Sequence, residues 1–304
     1  MFNNGINNKT LRRGLVLTIG LSLLVLLLIN LYASRSDAFQ VLRALNPWKL
    51  VSCLFAGLFI LLLSWIIEGL RIKFISSFLG ENLSLVKIIM INLATFFTGN
   101  ITPYTSGGAP TQVYLLHKEG LSLGKATAVV TARIATSTLV FTLGAPLLLF
   151  LFPKILSISQ FMKIFFIILG LAISGLLLYL LFYPSSAKEI VAKILHFVAR
   201  GREDKFKDIL ERVFHQLNEF HDCLTTLFHS KKSLIIFILI LSGLFWVSFF
   251  SIAPAIMVVL GFKVKYLNFI IFQYVFIFLA AYLPIPGGSG ITEIGFIPIF
   301  KLFG

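Results

Sequence analysis

Two Gly-Gly pairs, Gly107-Gly108 and Gly287-Gly288, interrupt otherwise apolar stretches of this sequence. Each pair follows a proline and precedes residues that are compatible with a short helix. The free amides and positive dipole end of such a helix can bind a phosphate, and glycine lets a ligand approach the backbone closely. Thr102, Ser106 and Ser289 add hydroxyl donors nearby. The pattern predicts a site for an anionic headgroup, and an ordinary polar surface loop is the alternative.

Three ionisable residues are candidates for a place at membrane depth: Glu68 at the inner end of the second apolar segment, Arg133 within the fourth, and Glu293 in the last. Charges in such positions are costly and usually face a cavity or a partner. We expect Arg133 to bind a lipid phosphate or to neutralise one of the two carboxylates, which could themselves contact a cationic amine. Glu68 has a further alternative, because Arg71 three residues later could form a surface ion pair with it.

The composition determines the class of protein. The chain has 304 residues, of which 58% are hydrophobic and 12% charged, and its mean hydropathy is +0.96. These values predict a polytopic membrane protein, folded as a single membrane domain over 1–304 whose last helix is short. The net charge of +14 fits contact with anionic lipid surfaces better than nucleic-acid binding. The His and Cys spacings fit no metal site, and we expect no cofactor.

Apolar segments and basic residues together predict the topology. The apolar segments are 14–33, 51–67, 86–97, 127–152, 161–183, 234–260, 268–283 and 291–303. Lys9, Arg12 and Arg13 predict a cytoplasmic N-terminus, and the basic loop 184–233 is expected on the same side, as two amphipathic helices. The region between Val86 and Lys125 must then cross the membrane an even number of times, which favours a re-entrant hairpin.

The predicted fold is therefore all-α and polytopic, with about seven or eight transmembrane helices. Two of its elements, one at each Gly-Gly pair, are expected to be broken or re-entrant. Broken helices in both halves of a membrane chain are typical of transporters, whose substrate sites lie at the breaks.

A family resemblance rests on these same motifs. They are Asn100-Ile-Thr-Pro103 with Gly107-Gly108, the segment 115–126, Arg133, and the run from Pro284 to Glu293. Through them nearly the whole chain resembles the lysylphosphatidylglycerol synthase transmembrane family. This is the flippase-like domain of the multiple peptide resistance factor, which also occurs as stand-alone proteins.

The resemblance implies binding or translocation of an anionic or aminoacylated phospholipid, of the phosphatidylglycerol or lysylphosphatidylglycerol class, in the cell membrane. It also implies a link to resistance against cationic antimicrobial peptides. We expect the lipid-binding residues to be Glu68, Thr102, Ser106, Gly107, Gly108, Arg133, Gly287, Gly288, Ser289 and Glu293.

Two alternatives remain. The chain could be the membrane part of a lipid-modifying transferase, acting with lysyl or polyprenyl-phosphate sugar donors, or it could be a non-transporting partner of such an enzyme. The soluble domain that attaches lysine to phosphatidylglycerol has no counterpart here, so we expect no catalytic residues. The sequence does not indicate an oligomeric state.

Overall fold

The computed structural model describes residues 46–102, 105–152, 160–182, 203–230 and 232–281. These residues form nine helical segments, here numbered in chain order. They are α1 (Pro47–Phe78), α2 (Leu85–Asn100), α3 (Gly108–Lys118), α4 (Leu123–Leu151), α5 (Gln160–Phe182), α6 (Glu203–Ser230), α7 (Lys232–Phe250), α8 (Ile252–Leu260) and α9 (Tyr266–Ala281).

Side-chain caps and glycines set several helix boundaries. The side chains of Asn46, Ser84 and Ser122 accept a hydrogen bond from a backbone amide in the first turns of α1, α2 and α4, which satisfies one otherwise unpaired donor in each helix. Gly80 and Gly120 follow α1 and α3 with positive φ, a conformation that side chains rarely adopt. The chain can therefore turn sharply before α2 and before α4.

Three helices among the described residues are long and apolar enough to cross a membrane. They cover Pro47–Phe78, Leu123–Leu151 and Lys232–Leu260, the last comprising α7 and α8. Shorter apolar helices run through Leu85–Asn100, Lys163–Tyr179 and Tyr266–Phe278. The outer face of α1 exposes large apolar side chains such as Phe55, Phe59 and Leu62, as expected of a lipid-facing surface. The predicted all-α polytopic class is confirmed.

Helix α4 is at the centre of the described bundle and packs against α1, α3, α5, α6, α7 and α9. Small residues allow these close approaches: a Cβ on Gly170 of α5 would lie 2.7 Å from Cγ of Pro146 and 2.9 Å from the carbonyl oxygen of Thr142. Beside this contact, the hydroxyls of Thr142 and Ser174 are 2.7 Å apart and hydrogen-bonded. Small side chains and hydroxyl pairs of this kind are typical of helix packing in membranes.

Helices α2 and α3 form an antiparallel hairpin around the first Gly-Gly pair. At the base, Lys87 Nζ lies 2.6 Å from Glu119 Oε2, so the hairpin begins and ends at the same level. Its arms have 16 and 11 residues, or roughly 24 and 16 Å, which is short of the ~30 Å hydrocarbon core. The chain thus enters and leaves this region at one end, as the charge distribution predicted.

Helix α6 packs against the bundle at the start of α4. Leu224, Leu227 and Phe228 are buried in the core shared with α1, α2, α3, α4 and α7. Its polar side chains accept hydrogen bonds from donors at the N-terminus of α4. Gly124 donates its amide proton to Gln216 Oε1 at 2.6 Å, and the Ser122 hydroxyl donates to Glu219 Oε1 at 2.6 Å. The second amphipathic helix predicted in the 184–233 loop is therefore present and docked on the protein. The first, together with the apolar segments 14–33 and 291–303, lies outside the described residues.

Candidate functional site

A charged cluster of three side chains is buried between α1 and α4. Glu68 is at its centre: Oε2 lies 2.5 Å from Nη1 of Arg71, and Oε1 lies 2.7 Å from Nη1 of Arg133. The side chains of Glu68 and Arg71 are 2% and 0% exposed, whereas that of Arg133 is 15% exposed. Of the alternatives considered for these residues, the structure therefore contains both the Glu68–Arg133 ion pair and the Glu68–Arg71 ion pair.

Arg71 is not at the surface, where the sequence reasoning put it. The predicted pair with Glu68 does form, but α1 continues to Phe78 and its later turns are covered by α2, α4 and α7. Nη2 of Arg71 donates to the backbone carbonyl of Arg133 at 2.7 Å and to the Thr136 hydroxyl at 3.3 Å. Arg71 is thus a structural link between α1 and α4.

The cluster has more positive than negative charge. Two guanidiniums share one carboxylate, both of whose oxygens are engaged, so these three side chains sum to one positive charge. Nε of Arg71 and Nε of Arg133 are buried, and neither has a hydrogen-bond partner among the described residues. Buried donors usually find partners, and Arg133, the more exposed of the two, is the member that an additional anion could reach.

The first Gly-Gly pair breaks the chain between α2 and α3, and each of its glycines is needed for space. A Cβ on Gly107 would lie 2.8 Å from Cγ2 of Thr102 and 3.1 Å from the carbonyl oxygen of Thr98. A Cβ on Gly108 would lie 3.3 Å from the carbonyl oxygen of Thr95 on α2. The pair therefore allows the two arms of the hairpin to pack closely at its tip.

The hydroxyl groups near the break differ in their surroundings. Thr102 Oγ1 donates to the carbonyl of Thr98 at 2.8 Å and accepts from the Gly107 amide at 2.9 Å. This side chain therefore hydrogen-bonds the end of α2 to the start of the Gly-Gly pair. Ser106 is exposed. Thr105 has φ of 54°, which is unusual for a β-branched residue. A headgroup contact for Thr102 or Ser106 stays a prediction.

Gly108 and Arg133 lie at similar distances from the turn that joins α3 to α4. Helix α3 packs against α4, and at about 1.5 Å per residue both positions are roughly 15 Å from that turn. The start of α3, where the Gly108 and Ala109 amides precede Pro110, is therefore at about the level of the charged cluster. Four predicted site residues near the C-terminus lie outside the described residues: Gly287, Gly288, Ser289 and Glu293. The expectation that the two Gly-Gly breaks lie close together therefore stays a prediction.

The sequence analysis did not identify one buried polar pair in the hairpin. Nε2 of Gln112 donates to Oδ1 of Asn92 at 2.9 Å, and the two residues are 1% and 2% exposed. The signal was available, because an Asn and a Gln within apolar helical segments are as unusual as a charge. Among the described residues no three His, Cys, Asp or Glu side chains are grouped as metal ligands.

The comparisons with known proteins agree with the resemblance carried by the motifs. A UPF0104 membrane protein of Archaeoglobus fulgidus is 26% identical over 284 residues, covering 93% of this chain and 85% of that protein. A UPF0104 membrane protein of Methanothermobacter thermautotrophicus is 25% identical over 309 residues, covering 96% and 85%. No solved structure matches. The family model described as the lysylphosphatidylglycerol synthase TM region matches residues 15–304. The chain therefore belongs to the lysylphosphatidylglycerol synthase transmembrane-region family.

Proposed function

We propose that this protein binds an anionic phospholipid within the membrane and translocates it between leaflets. The observation that carries the proposal is the surplus positive charge of the cluster formed by Glu68, Arg71 and Arg133. Both carboxylate oxygens are already engaged, so Arg133 keeps guanidinium capacity for another anion. Its 15% exposure makes it the member that a lipid phosphate can approach.

A phosphate suits this arrangement chemically. Arginine presents a planar fork of donors that matches phosphate oxygens, and charge-assisted hydrogen bonds of this kind are about twice as strong as neutral ones. Charge that is only partly balanced inside a membrane is costly, so a mobile anionic headgroup passing Arg133 would be stabilised there without forming a permanent partner. This is what a translocation site requires, since its ligand must also leave.

The hairpin of α2 and α3 supplies the second element of the proposed site. The amides of Gly108 and Ala109 begin α3, and a helix start favours negative charge. Gly108 is buried against Thr95 of α2 and Ser106 beside it is exposed, so a headgroup from the solvent side would meet Ser106 first, before its phosphate reaches Arg133. We place Gly287, Gly288 and Ser289 in the same role at the second break.

The lipid class that we propose is taken from the family's name. The family's name refers to lysylphosphatidylglycerol, and phosphatidylglycerol or its lysyl derivative offers the phosphate that Arg133 would bind. In the lysyl form, Glu293 is our candidate partner for the additional amine. We further propose that the protein works in the cell membrane with its N-terminus in the cytoplasm, and that lipid export of this kind underlies resistance to cationic antimicrobial peptides.

Reconstitution into vesicles tests the proposal. Purified protein should accelerate the exchange of fluorescent phosphatidylglycerol between leaflets relative to empty vesicles. Arg133→Gln should reduce the rate by about tenfold, the equivalent of one charge-assisted hydrogen bond, and Arg133→Lys should recover only part of it. Lys49→Met is the matched control, because it removes one exposed charge from the start of α1 and should leave exchange unchanged.

Three results would contradict the proposal. Well-folded wild-type protein that does not accelerate exchange would remove translocation as the function. Formation of a modified lipid when lysyl or polyprenyl-phosphate sugar donors are supplied would favour a transferase, and the absence of both activities would favour a non-transporting partner of an enzyme. Exchange that is equally fast in Arg133→Gln would remove Arg133 from the site.

A further inference from the structure

We infer that Arg71 is a positioning residue that makes the site selective for anionic over zwitterionic lipids. This inference rests on the proposed function. Arg71 is fully buried, so it acts through its neighbours and does not touch the lipid. Its effect is to engage half of the Glu68 carboxylate and so to leave Arg133 with positive charge that no side chain of the cluster balances.

The contacts of Arg71 support both parts of this role. Its Nη1 binds Oε2 of Glu68 at 2.5 Å, and its Nη2 binds the backbone carbonyl of Arg133 at 2.7 Å. One guanidinium therefore fixes both the carboxylate that orients Arg133 and the backbone from which Arg133 extends. A lysine at this position could supply the charge, but its single ammonium could not reproduce the planar fork that reaches two partners at once.

The arithmetic of charge explains the selectivity. With Arg71 present, the two positive side chains and one negative side chain sum to one positive charge. Without Arg71, Glu68 and Arg133 would form a neutral pair, and both oxygens of Glu68 would be free to take Arg133 in the bidentate geometry that such pairs prefer. In a poorly polar interior that change alters the attraction for an anion strongly. The lipid phosphate would then compete with Glu68 for Arg133.

Arg71 differs in this from a residue that only holds the fold together. A purely structural ion pair predicts that lipid selectivity changes only when folding fails. The charge-surplus role predicts that selectivity follows the net charge of the cluster, even between variants that fold equally well. It also predicts that removing Glu68 together with Arg71 restores selectivity, because Arg133 alone again provides one positive charge.

The test measures the lipids retained by purified protein in mixed micelles of phosphatidylglycerol and phosphatidylcholine, counted by native mass spectrometry. Wild-type protein should retain phosphatidylglycerol preferentially. Arg71→Met should lower the ratio of bound phosphatidylglycerol to phosphatidylcholine by about tenfold, and Arg71→Met with Glu68→Gln should return it close to the wild-type ratio. Lys49→Met removes the same charge from an exposed site on the same helix and should not change the ratio.

Each result bears on one of the two proposals. If wild-type protein shows no preference, the proposed anionic site fails and the role of Arg71 falls with it. If wild-type protein prefers phosphatidylglycerol and folded Arg71→Met keeps that preference, the proposed site stands and the role of Arg71 is overturned. Should Arg71→Met not fold, the double variant decides: a wild-type ratio supports the charge-surplus role, and loss of preference in the folded double variant refutes it.

Discussion

Replacing Glu68 should destabilise the protein more than replacing either of the arginines it binds. The Glu68 side chain is 2% exposed and both of its oxygens contact guanidiniums. Glu68→Gln would leave one buried and one largely buried positive charge facing each other across a neutral amide. Breaking a buried pair and leaving a charge uncompensated costs about 3–5 kcal/mol, a large share of the stability of a typical domain.

Arg133→Gln should be milder, because it leaves Glu68 paired with Arg71. The loss is then one charge-assisted hydrogen bond of a side chain that is 15% exposed, worth about 1.5–3 kcal/mol. The order of destabilisation should therefore be Glu68→Gln first and Arg133→Gln second. Adding Arg71→Met to Glu68→Gln should recover part of the loss, because only one guanidinium then remains.

Thermal unfolding of the detergent-solubilised protein measures this order. Midpoints should be compared at one heating rate, since unfolding of membrane proteins in detergent is commonly irreversible and the apparent midpoint then depends on that rate. The reasoning is refuted if Arg133→Gln lowers the midpoint as much as Glu68→Gln does. It is also refuted if the double variant is no more stable than Glu68→Gln, because charge repulsion would then not be the cause.

Three further predictions concern packing and titration. Gly107→Ala should destabilise the protein by about 1–3 kcal/mol, because its Cβ would lie 2.8 Å from Cγ2 of Thr102; Thr102→Ser removes that methyl and should restore part of the unfolding midpoint. Asn92→Leu should cost about 1–3 kcal/mol by leaving the Gln112 amide buried without its partner, and the double leucine variant should unfold closer to wild type. Burial raises the pKa of the Cys223 thiol, as does a neighbouring glutamate, so its alkylation, followed by peptide mass spectrometry, should reach half its maximal rate at higher pH than a free thiol; a midpoint at or below that of a free thiol would contradict this.

The helices and the first break could be predicted from the sequence because their signals are local. Apolar runs and the Gly-Gly pair specify where α2 ends and α3 begins. The sequence also predicted that this region enters and leaves at one end, from the positions of basic residues and the number of apolar segments between them. The Lys87–Glu119 ion pair at the hairpin base agrees with that argument.

The depth of Arg71 could not be predicted, because burial depends on which helices cover a residue. In the sequence, Arg71 and Lys73 follow an apolar run and look like the interfacial end of a span. In the fold, α1 continues to Phe78 and α4 passes beside it, so Arg71 becomes part of a buried link. Asn92 and Gln112 differ from Arg71: their polar side chains within apolar segments were visible in the sequence, and only their pairing required the folded hairpin.

The most direct test of the account is a structure of the protein in nanodiscs that contain phosphatidylglycerol, at a resolution that shows the headgroup. The account predicts a lipid phosphate within about 3 Å of the Arg133 guanidinium, at the level where α3 begins. It also predicts that Arg71 and Glu68 keep their contact beneath that phosphate. A structure in which the outer side of Arg133 is instead closed by a protein carboxylate such as Glu293, with no lipid headgroup beside it, would contradict the account.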